Sequence, residues 1–177
     1  MRMKKYKEKY AYYKLKHRLA SVQREVKVPR LETAKKIGVL WLPDQLDAFN
    51  YLHQYFSQSK VIFRNLCIYS SGVPSVAASA NAVTNRDLDW FGLPKSAIID
   101  GFINTDFDLL LNLAMEQNLV LDYISALSLA KFKVGCSNKK DNFFDLNINI
   151  GGNRNALYLA KQQIFYIGEL NKTKKND

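Results

Sequence analysis

The chain has 177 residues, 47% of them apolar, which is enough for one domain with a buried core. Lys and Arg outnumber Asp and Glu by 26 to 16, so the formal net charge is +10 and the first partner class to test is a polyanion. The two cysteines, Cys67 and Cys136, belong to no CxxC or Cys/His cluster, and no apolar run approaches the roughly 20 residues that span a bilayer. These features argue against a disulfide framework, a zinc site and a membrane span, and they predict a reduced, cytoplasmic protein.

Residues 1–30 hold nearly all of the net charge. They contain eleven Lys and Arg against two Glu, a net charge of +9. No Gly or Pro occurs between Met3 and Lys27, and Pro29 then disfavours the helical conformation of the residue before it, so this segment predicts a helix of about 25 residues. We therefore expect a long basic amphipathic N-terminal helix in residues 1–30, and an α/β domain in residues 31–177 that folds without it.

The predicted helix has two stripes of side chains on nearly opposite faces. The aliphatic stripe, which we expect to pack on the protein's own body or on a second copy, consists of Tyr12, Leu15, Leu19, Val22 and Val26. The aromatic stripe consists of Met3, Tyr6, Tyr10, Tyr13 and His17. Lysines flank the aromatic stripe on both edges: Lys7 with Lys14, and Lys9 with Lys16.

Aromatic rings between cations suit stacking on nucleic-acid bases combined with contacts to phosphates. This pattern predicts a non-catalytic protein whose basic helix binds RNA, a ribonucleoprotein or DNA. The predicted nucleic-acid-binding residues are Tyr6, Lys7, Lys9, Tyr10, Tyr13, Lys14, Lys16 and Arg18. Two alternatives stay open: tyrosines at helical spacing also pack against another subunit, as in a homo-oligomeric assembly protein, and basic amphipathic helices also bind anionic membrane surfaces.

The rest of the chain alternates predicted strands and helices. Residues 37–42 form a continuous apolar run, which is typical of a strand buried on both faces. Asp44 begins a helical pattern, and a second strand follows at residues 61–69, so the three elements predict a right-handed βαβ unit with parallel strands. The later predicted elements are a strand at 107–113, a helix at 119–130, a strand at 132–136 and a helix at 153–170.

Two segments are less regular. The stretch 70–105 contains one short predicted strand at residues 97–99, and we expect its Trp90 and Phe91 to lie on the core. Residues 145–150 alternate strictly between apolar and polar, so they belong at or next to a sheet edge, where they can pair as a hairpin with the preceding strand. The whole pattern predicts a single, mainly parallel three-layer α/β/α sheet of about five or six strands.

Ligands of open α/β sheets bind outside the carboxyl ends of the strands. The residues predicted there form a candidate crevice for a small molecule or nucleotide: Asp44, Ser70, Ser71, Gly72 and Glu116. Asp44 and Glu116 suit an acid and base pair, and they equally suit a helix cap and a solvated loop residue. The first strand-to-helix turn has no glycine, so it has neither a dinucleotide fingerprint nor a P-loop. We predict no catalytic residue, no cofactor and no metal site, and an enzyme that uses this crevice stays an alternative.

Three blocks of the sequence resemble a known family. They are Asp-Trp-Phe-Gly at residues 89–92, Phe-Asp-Leu-Leu-Leu-Asn-Leu at 107–113 and Leu-Ser-Leu-Ala-Lys-Phe-Lys-Val-Gly at 127–135. In these blocks the chain resembles an uncharacterised family of small bacterial α/β proteins typical of the Bacteroidota. The resemblance covers most of the body and implies a cytoplasmic bacterial protein, and it assigns neither an activity nor a site residue.

Overall fold

The computed structural model describes residues 2–69 and 81–173. In chain order the helices and strands are α1 (Arg2–Leu19), β1 (Lys36–Trp41), α2 (Leu46–Ser57), β2 (Ile62–Ile68), β3 (Ala82–Val83), α3 (Ser96–Ile103), β4 (Leu109–Asn112), α4 (Leu119–Leu127), β5 (Lys133–Gly135), β6 (Leu146–Asn147) and α5 (Ala156–Thr173). Single turns of 3-10 helix lie at Pro43–Gln45 and Asn85–Asp87.

The six strands of the described residues run parallel in one sheet, in the order β3-β2-β1-β4-β5-β6. This confirms the predicted parallel α/β sheet, and β1, α2 and β2 are its βαβ unit. After β3 the chain crosses to the other side of β1 through α3, so the strand order reverses between β1 and β4. At such a reversal the loops that leave the two strands diverge and open a crevice at the carboxyl ends.

Helices cover both faces of the sheet. α2 and α5 pack on one face, where Ile37 and Val39 are buried, and α1, α3 and α4 pack on the other, where Leu40 is buried. Successive side chains of a strand point to opposite faces, so a strand covered on both sides is apolar at nearly every position. Gly38 leaves room for the ring of Phe107, because a Cβ atom at Gly38 would lie 2.9 Å from that ring. Within the described residues, no helix has both the length and the apolar character needed to cross a membrane.

The aliphatic stripe of α1 docks on the protein's own body, which is one of the two surfaces predicted for it. Ala11 and Leu15 are fully buried in the core shared with α3 and α4. Tyr12, Leu19 and Val22 pack at the margin of this core, whereas Val26 is exposed. Because α1 contributes side chains to the core, we no longer expect the body to keep its stability without residues 1–30.

The helix ends at Leu19 and not at Lys27, so the predicted length is wrong. The guanidinium of Arg24 donates two hydrogen bonds to the carboxylate of Asp145, at 2.9 and 2.5 Å. The backbone N–H of Lys27 donates to the carbonyl of Lys131 at 3.0 Å. A bidentate ion pair of this kind outweighs the weak helical preference of a segment that contains several valines, so residues 22–28 leave the helical path.

The prediction of a strand at residues 97–99 is also wrong. These residues belong to α3, where Ile99, Phe102 and Ile103 form a buried face at helical spacing. The strand that does form in this part of the sheet is β3, which has only two residues and no readable periodicity. Short apolar runs do not distinguish a strand from one face of a short helix.

The predicted position of Trp90 on the core is also wrong, because its side chain is 73% exposed. The carboxylate of Asp89 accepts hydrogen bonds from the backbone N–H groups of Phe91, at 2.8 Å, and Leu93, at 3.0 Å. This turn places Leu93 in the core and Phe91 against its margin. Trp90 lies between Asp89 and Phe91 in the chain, and its side chain points to solvent.

β6 lies at the edge of the sheet, as predicted for residues 145–150, but it pairs with β5 in parallel and not as a hairpin. The loop between the two strands returns to the end of the sheet where β5 starts, and β6 begins there. Asp145 accepts the backbone N–H of Lys133 at 2.8 Å, and the Asn147 side chain bonds both the N–H and the carbonyl of Ser137. These contacts start β6 beside the start of β5, which fixes the parallel direction.

Candidate functional site

The aromatic stripe of α1 faces solvent, because the opposite face of the helix is docked on the body. Tyr6 is 69% exposed and Tyr13 is 59% exposed, and Tyr10 and His17 are also exposed. The rings contact one another along the helix, with 6.4 Å between the centroids of Tyr10 and Tyr13 and 4.6 Å between those of Tyr13 and His17. The structure therefore brings the predicted tyrosines together as one accessible row.

The loop after β3 extends this row. Tyr10 packs on Phe91 with 4.4 Å between ring centroids, and the ammonium of Lys7 lies 3.5 Å from the ring centroid of Trp90. The ammonium of Lys14 lies 5.1 Å from the centroid of Phe91. Trp90 and Phe91 were not among the predicted site residues. Their only signal in the sequence is an adjacent pair of large aromatics directly after a turn-forming aspartate.

Between α1 and residues 89–96 lies an open cleft of about 570 Å³. Tyr13, Lys14 and His17 form its α1 wall, and Lys95 stands on the opposite wall. Arg18 already bonds within the protein. Its guanidinium donates a 2.6 Å hydrogen bond to the hydroxyl of Tyr123 and lies 3.9 Å from the carboxylate of Asp100. The cations with no carboxylate partner on this surface are therefore the lysines, within the part of the chain that the structure describes.

Asp122, a carboxylate beside α1, is already bonded within the protein. Asp122 accepts hydrogen bonds from the hydroxyl of Tyr12, at 2.7 Å, and from the ammonium of Lys139, at 2.5 Å. Burial, followed by the hydrogen bond to Asp122, raises the pKa of Tyr12. Burial opposes the charge of Lys139, yet its hydrogen bonds to Asp122 and Tyr12 raise its pKa above the ordinary value. This cluster fastens α1 to the body, and the lysines beside the aromatic stripe outnumber Glu8, the one acidic side chain of α1.

The predicted crevice at the strand carboxyl ends is a smaller cavity of about 270 Å³. Asp44 and Glu116 both line it, and Glu116 pairs with Arg154 at 3.1 Å in an exposed position. Ser70, Ser71 and Gly72 lie outside the described residues. The structure therefore places the two predicted carboxylates at one cavity, with a cation beside one of them.

The amides at the reversal point between β1 and β4 bond to one another and to the backbone. Asn112 is fully buried and donates to the side chain of Gln117 at 2.9 Å, and Gln117 donates in turn to the carbonyls of Ala114 and Cys136. Gln45 accepts the backbone N–H of Leu42 at 2.9 Å. Of these side chains Gln45 lines the crevice, and the bonds of all three leave few free groups for a ligand.

Neither cysteine is an activated nucleophile. Burial raises the pKa of Cys67 to about 11, and burial also raises the pKa of Cys136. Both thiols are therefore protonated at neutral pH. Among the described residues, no group of three or more His, Cys, Asp or Glu side chains has an arrangement that could hold a metal ion.

A six-stranded parallel sheet between two helical layers, with a basic aromatic helix docked on one of them, defines a three-layer α/β/α protein. The chain belongs to a family of unknown function (DUF6913), whose model matches residues 7–170. This confirms the predicted membership of an uncharacterised family, and the match includes most of α1 as well as the whole sheet. No curated protein and no solved structure matches the chain.

Proposed function

We propose that this protein binds nucleic acid, free or in a ribonucleoprotein, through the exposed aromatic and basic face of α1, and that it does so in the bacterial cytoplasm without catalysing a reaction. The observation that carries the proposal is the orientation of α1. Its aliphatic stripe is buried in the body, and its exposed face combines a row of tyrosines with Lys7 and Lys14 on one edge and Lys9 and Lys16 on the other.

The same orientation argues against a membrane surface as the partner. A helix that lies in a membrane interface buries an aliphatic face between the lipids. In α1 that face already contacts α4, because Leu15 is 1% exposed. The face left for a partner carries phenol hydroxyls and ammonium groups, which suit bases and phosphates.

The charge of α1 argues against a symmetric dimer through the same face. A two-fold interface sets each surface against its own copy. The four lysines at the edges of the aromatic stripe would then face the same four lysines, and Glu8 is the one acidic side chain of α1 that could relieve the repulsion. A polyanion removes this repulsion, whereas a second copy doubles it.

The test is the salt dependence of binding to a fluorescent oligonucleotide, measured by anisotropy on the full chain. Arg18 bonds to Tyr123, and the ammonium of Lys95 donates to the carbonyl of Arg86 at 2.8 Å, so the four lysines that flank the aromatic stripe remain for phosphate contacts. Release of their counterions predicts a log–log slope of roughly −3.6 for a duplex and roughly −2.8 for a single strand. Replacing Lys7, Lys9, Lys14 and Lys16 by Gln should bring the slope close to zero.

The matched control replaces four exposed lysines elsewhere on the body: Lys35, Lys60, Lys161 and Lys172. This variant loses the same net charge and should keep the slope of the native protein. An equal reduction of the salt slope in both variants would show that binding depends on net charge alone and would contradict the proposal. Oligonucleotide binding that does not change with salt would also contradict it.

Two further measurements separate the other partners. Replacing Tyr6, Tyr10 and Tyr13 by Ala should weaken oligonucleotide binding and leave the mass from light scattering unchanged. A changed mass with unchanged binding would overturn the proposal in favour of assembly. Binding to phosphatidylglycerol vesicles in the absence of oligonucleotide binding would overturn it in favour of a membrane surface.

A further inference from the structure

Trp90 is a large aromatic side chain that the fold holds in solvent. Its neighbours Phe91 and Leu93 are fixed by the hydrogen bonds from their N–H groups to Asp89, and Gly92 completes the turn with φ at +82°. The indole is nevertheless 73% exposed. Because its neighbours are fixed inward, the exposure of Trp90 is built into the turn.

A cation lies directly against this indole. The ammonium of Lys7 is 3.5 Å from the ring centroid of Trp90, the geometry of a cation–π contact. Lys7 lies on α1 and Trp90 on the loop after β3, so the contact joins two segments that are far apart in the chain. The contact places the ammonium of Lys7, a group suited to phosphate, beside the indole of Trp90, a ring on which a base can stack.

Further rings and cations continue from this pair. Tyr10 packs on Phe91, Tyr13 follows one turn later along α1, and Lys14 lies over both Tyr10 and Phe91. The cleft of about 570 Å³ beside Tyr13 has Lys95 on its far wall. Rings therefore alternate with ammonium groups along the whole surface, as in sites that follow a single-stranded backbone.

We infer that this surface binds single-stranded nucleic acid in preference to a duplex, with an unstacked base against the indole of Trp90 and the adjacent phosphate on Lys7. The inference rests on the proposed function and adds the class of strand that the site accepts. The faces of the bases in a duplex are covered by their neighbours in the stack, so only a single strand offers them to aromatic side chains. A duplex would contact the lysines alone.

The first experiment uses Trp90 as its own reporter. In a Trp41→Phe variant Trp90 is the remaining tryptophan, because the chain has two. Titration with a 12-nucleotide oligouridylate should quench its fluorescence, and an RNA duplex should quench it much less. The control is Trp90→Phe, which leaves Trp41, a half-buried residue stacked on Phe49 at 4.5 Å, and its fluorescence should not change.

The second experiment measures affinity for the same two RNAs. Trp90→Ala should weaken binding of the single strand by about 5- to 100-fold, the range expected for loss of one base stack, and should leave duplex binding and the salt slope unchanged. The matched control is Phe165→Ala, which removes a 55% exposed ring from α5 on the other face of the sheet and should change neither affinity.

The outcomes distinguish the two proposals. Salt-dependent binding that Trp90→Ala leaves intact, with equal affinity for single strand and duplex, would overturn this inference and keep the proposed function. Absence of salt-dependent binding to either RNA would overturn both.

Discussion

Lys133 is a single residue that opposes the stability of the fold. It lies on β5, it is 2% exposed, and its ammonium donates one hydrogen bond, at 3.0 Å, to the carbonyl of Ala126 in the last turn of α4. Burial, followed by repulsion from Arg24, lowers its pKa from 10.5 to about 7, although the carboxylate of Asp145 works in the other direction. Asp145 is already paired with Arg24, so it compensates the charge of Lys133 only in part.

This lowered pKa predicts a pH dependence of stability. Between pH 7 and 10.5 the unfolded state binds the Lys133 proton and the folded state does not, so the free energy of unfolding should rise with pH across this window and stay level below it. Lys133→Met removes the titrating group. We expect this variant to be more stable than the native protein at about pH 6, by a few kcal/mol, and to lose that advantage towards pH 10.

Urea unfolding of both proteins across this pH range measures the difference directly. Lys131→Met is the matched control, two positions earlier in the chain. A hydrogen bond to Asp108 raises the pKa of Lys131, so this lysine stays charged throughout the pH range. The difference between this variant and the native protein should not depend on pH between about 6 and 9. If the difference in the free energy of unfolding between Lys133→Met and the native protein does not change with pH either, Lys133 stays charged in the folded protein.

At the scale of elements, α1 behaves as part of the core and not as a detachable arm. Its buried side chains enter the same cluster as those of α3 and α4. Three polar contacts fasten it further: Tyr12 to Asp122, Arg18 to Tyr123, and the chain just beyond α1 through Arg24 to Asp145. A rigid support of this kind holds the aromatic stripe in a fixed position, as the proposed interface requires.

This view predicts different effects from two substitutions on opposite faces of α1. Leu15→Ala removes a side chain that is 1% exposed, so it should lower the free energy of unfolding of the whole protein by about 2–4 kcal/mol. Tyr13→Ala removes a ring that is 59% exposed and should change stability by less than about 0.5 kcal/mol. Denaturant unfolding measures both, and equal small effects would mean that α1 is not part of the cooperative unit.

On the scale of the whole molecule, the net charge is concentrated in one segment, where like charges oppose stability. The first 30 residues carry +9 of the net +10, and α1 has no acidic side chain in its first turn, where the helix dipole favours one. Lys14 and Arg18 lie four positions apart on α1, a spacing at which like charges repel each other. The proposed phosphate-binding surface keeps this repulsion in the free protein.

Screening the repulsion should therefore stabilise the free protein. We expect the melting temperature to rise when NaCl increases from about 0.02 to 0.2 M, which shortens the range of electrostatic interactions to roughly 7–10 Å. The variant with Gln at positions 7, 9, 14 and 16 should show a weaker rise and be at least as stable as the native protein, by up to about 1 kcal/mol at low salt. A less stable variant would show that these lysines support the fold.

The sequence by itself determined the parallel sheet, the position of residues 145–150 at its edge and the face on which α1 docks. Each of these depends on a local period: continuous apolar runs for buried strands, strict alternation for an edge strand, and three-four spacing for a helix face. The same spacing identified the tyrosines and lysines of the candidate interface, because they lie on one helix.

Only the tertiary structure decided where α1 ends and what lies beside it. The end depends on Arg24 and Asp145, which are 121 positions apart, and the extended aromatic surface depends on Lys7 meeting Trp90. Contacts between residues so far apart in the chain depend on how the layers pack, and no periodic pattern in the sequence indicates them. The turn at Asp89 likewise directs one aromatic inward and its neighbour outward through backbone hydrogen bonds, which composition and spacing do not encode.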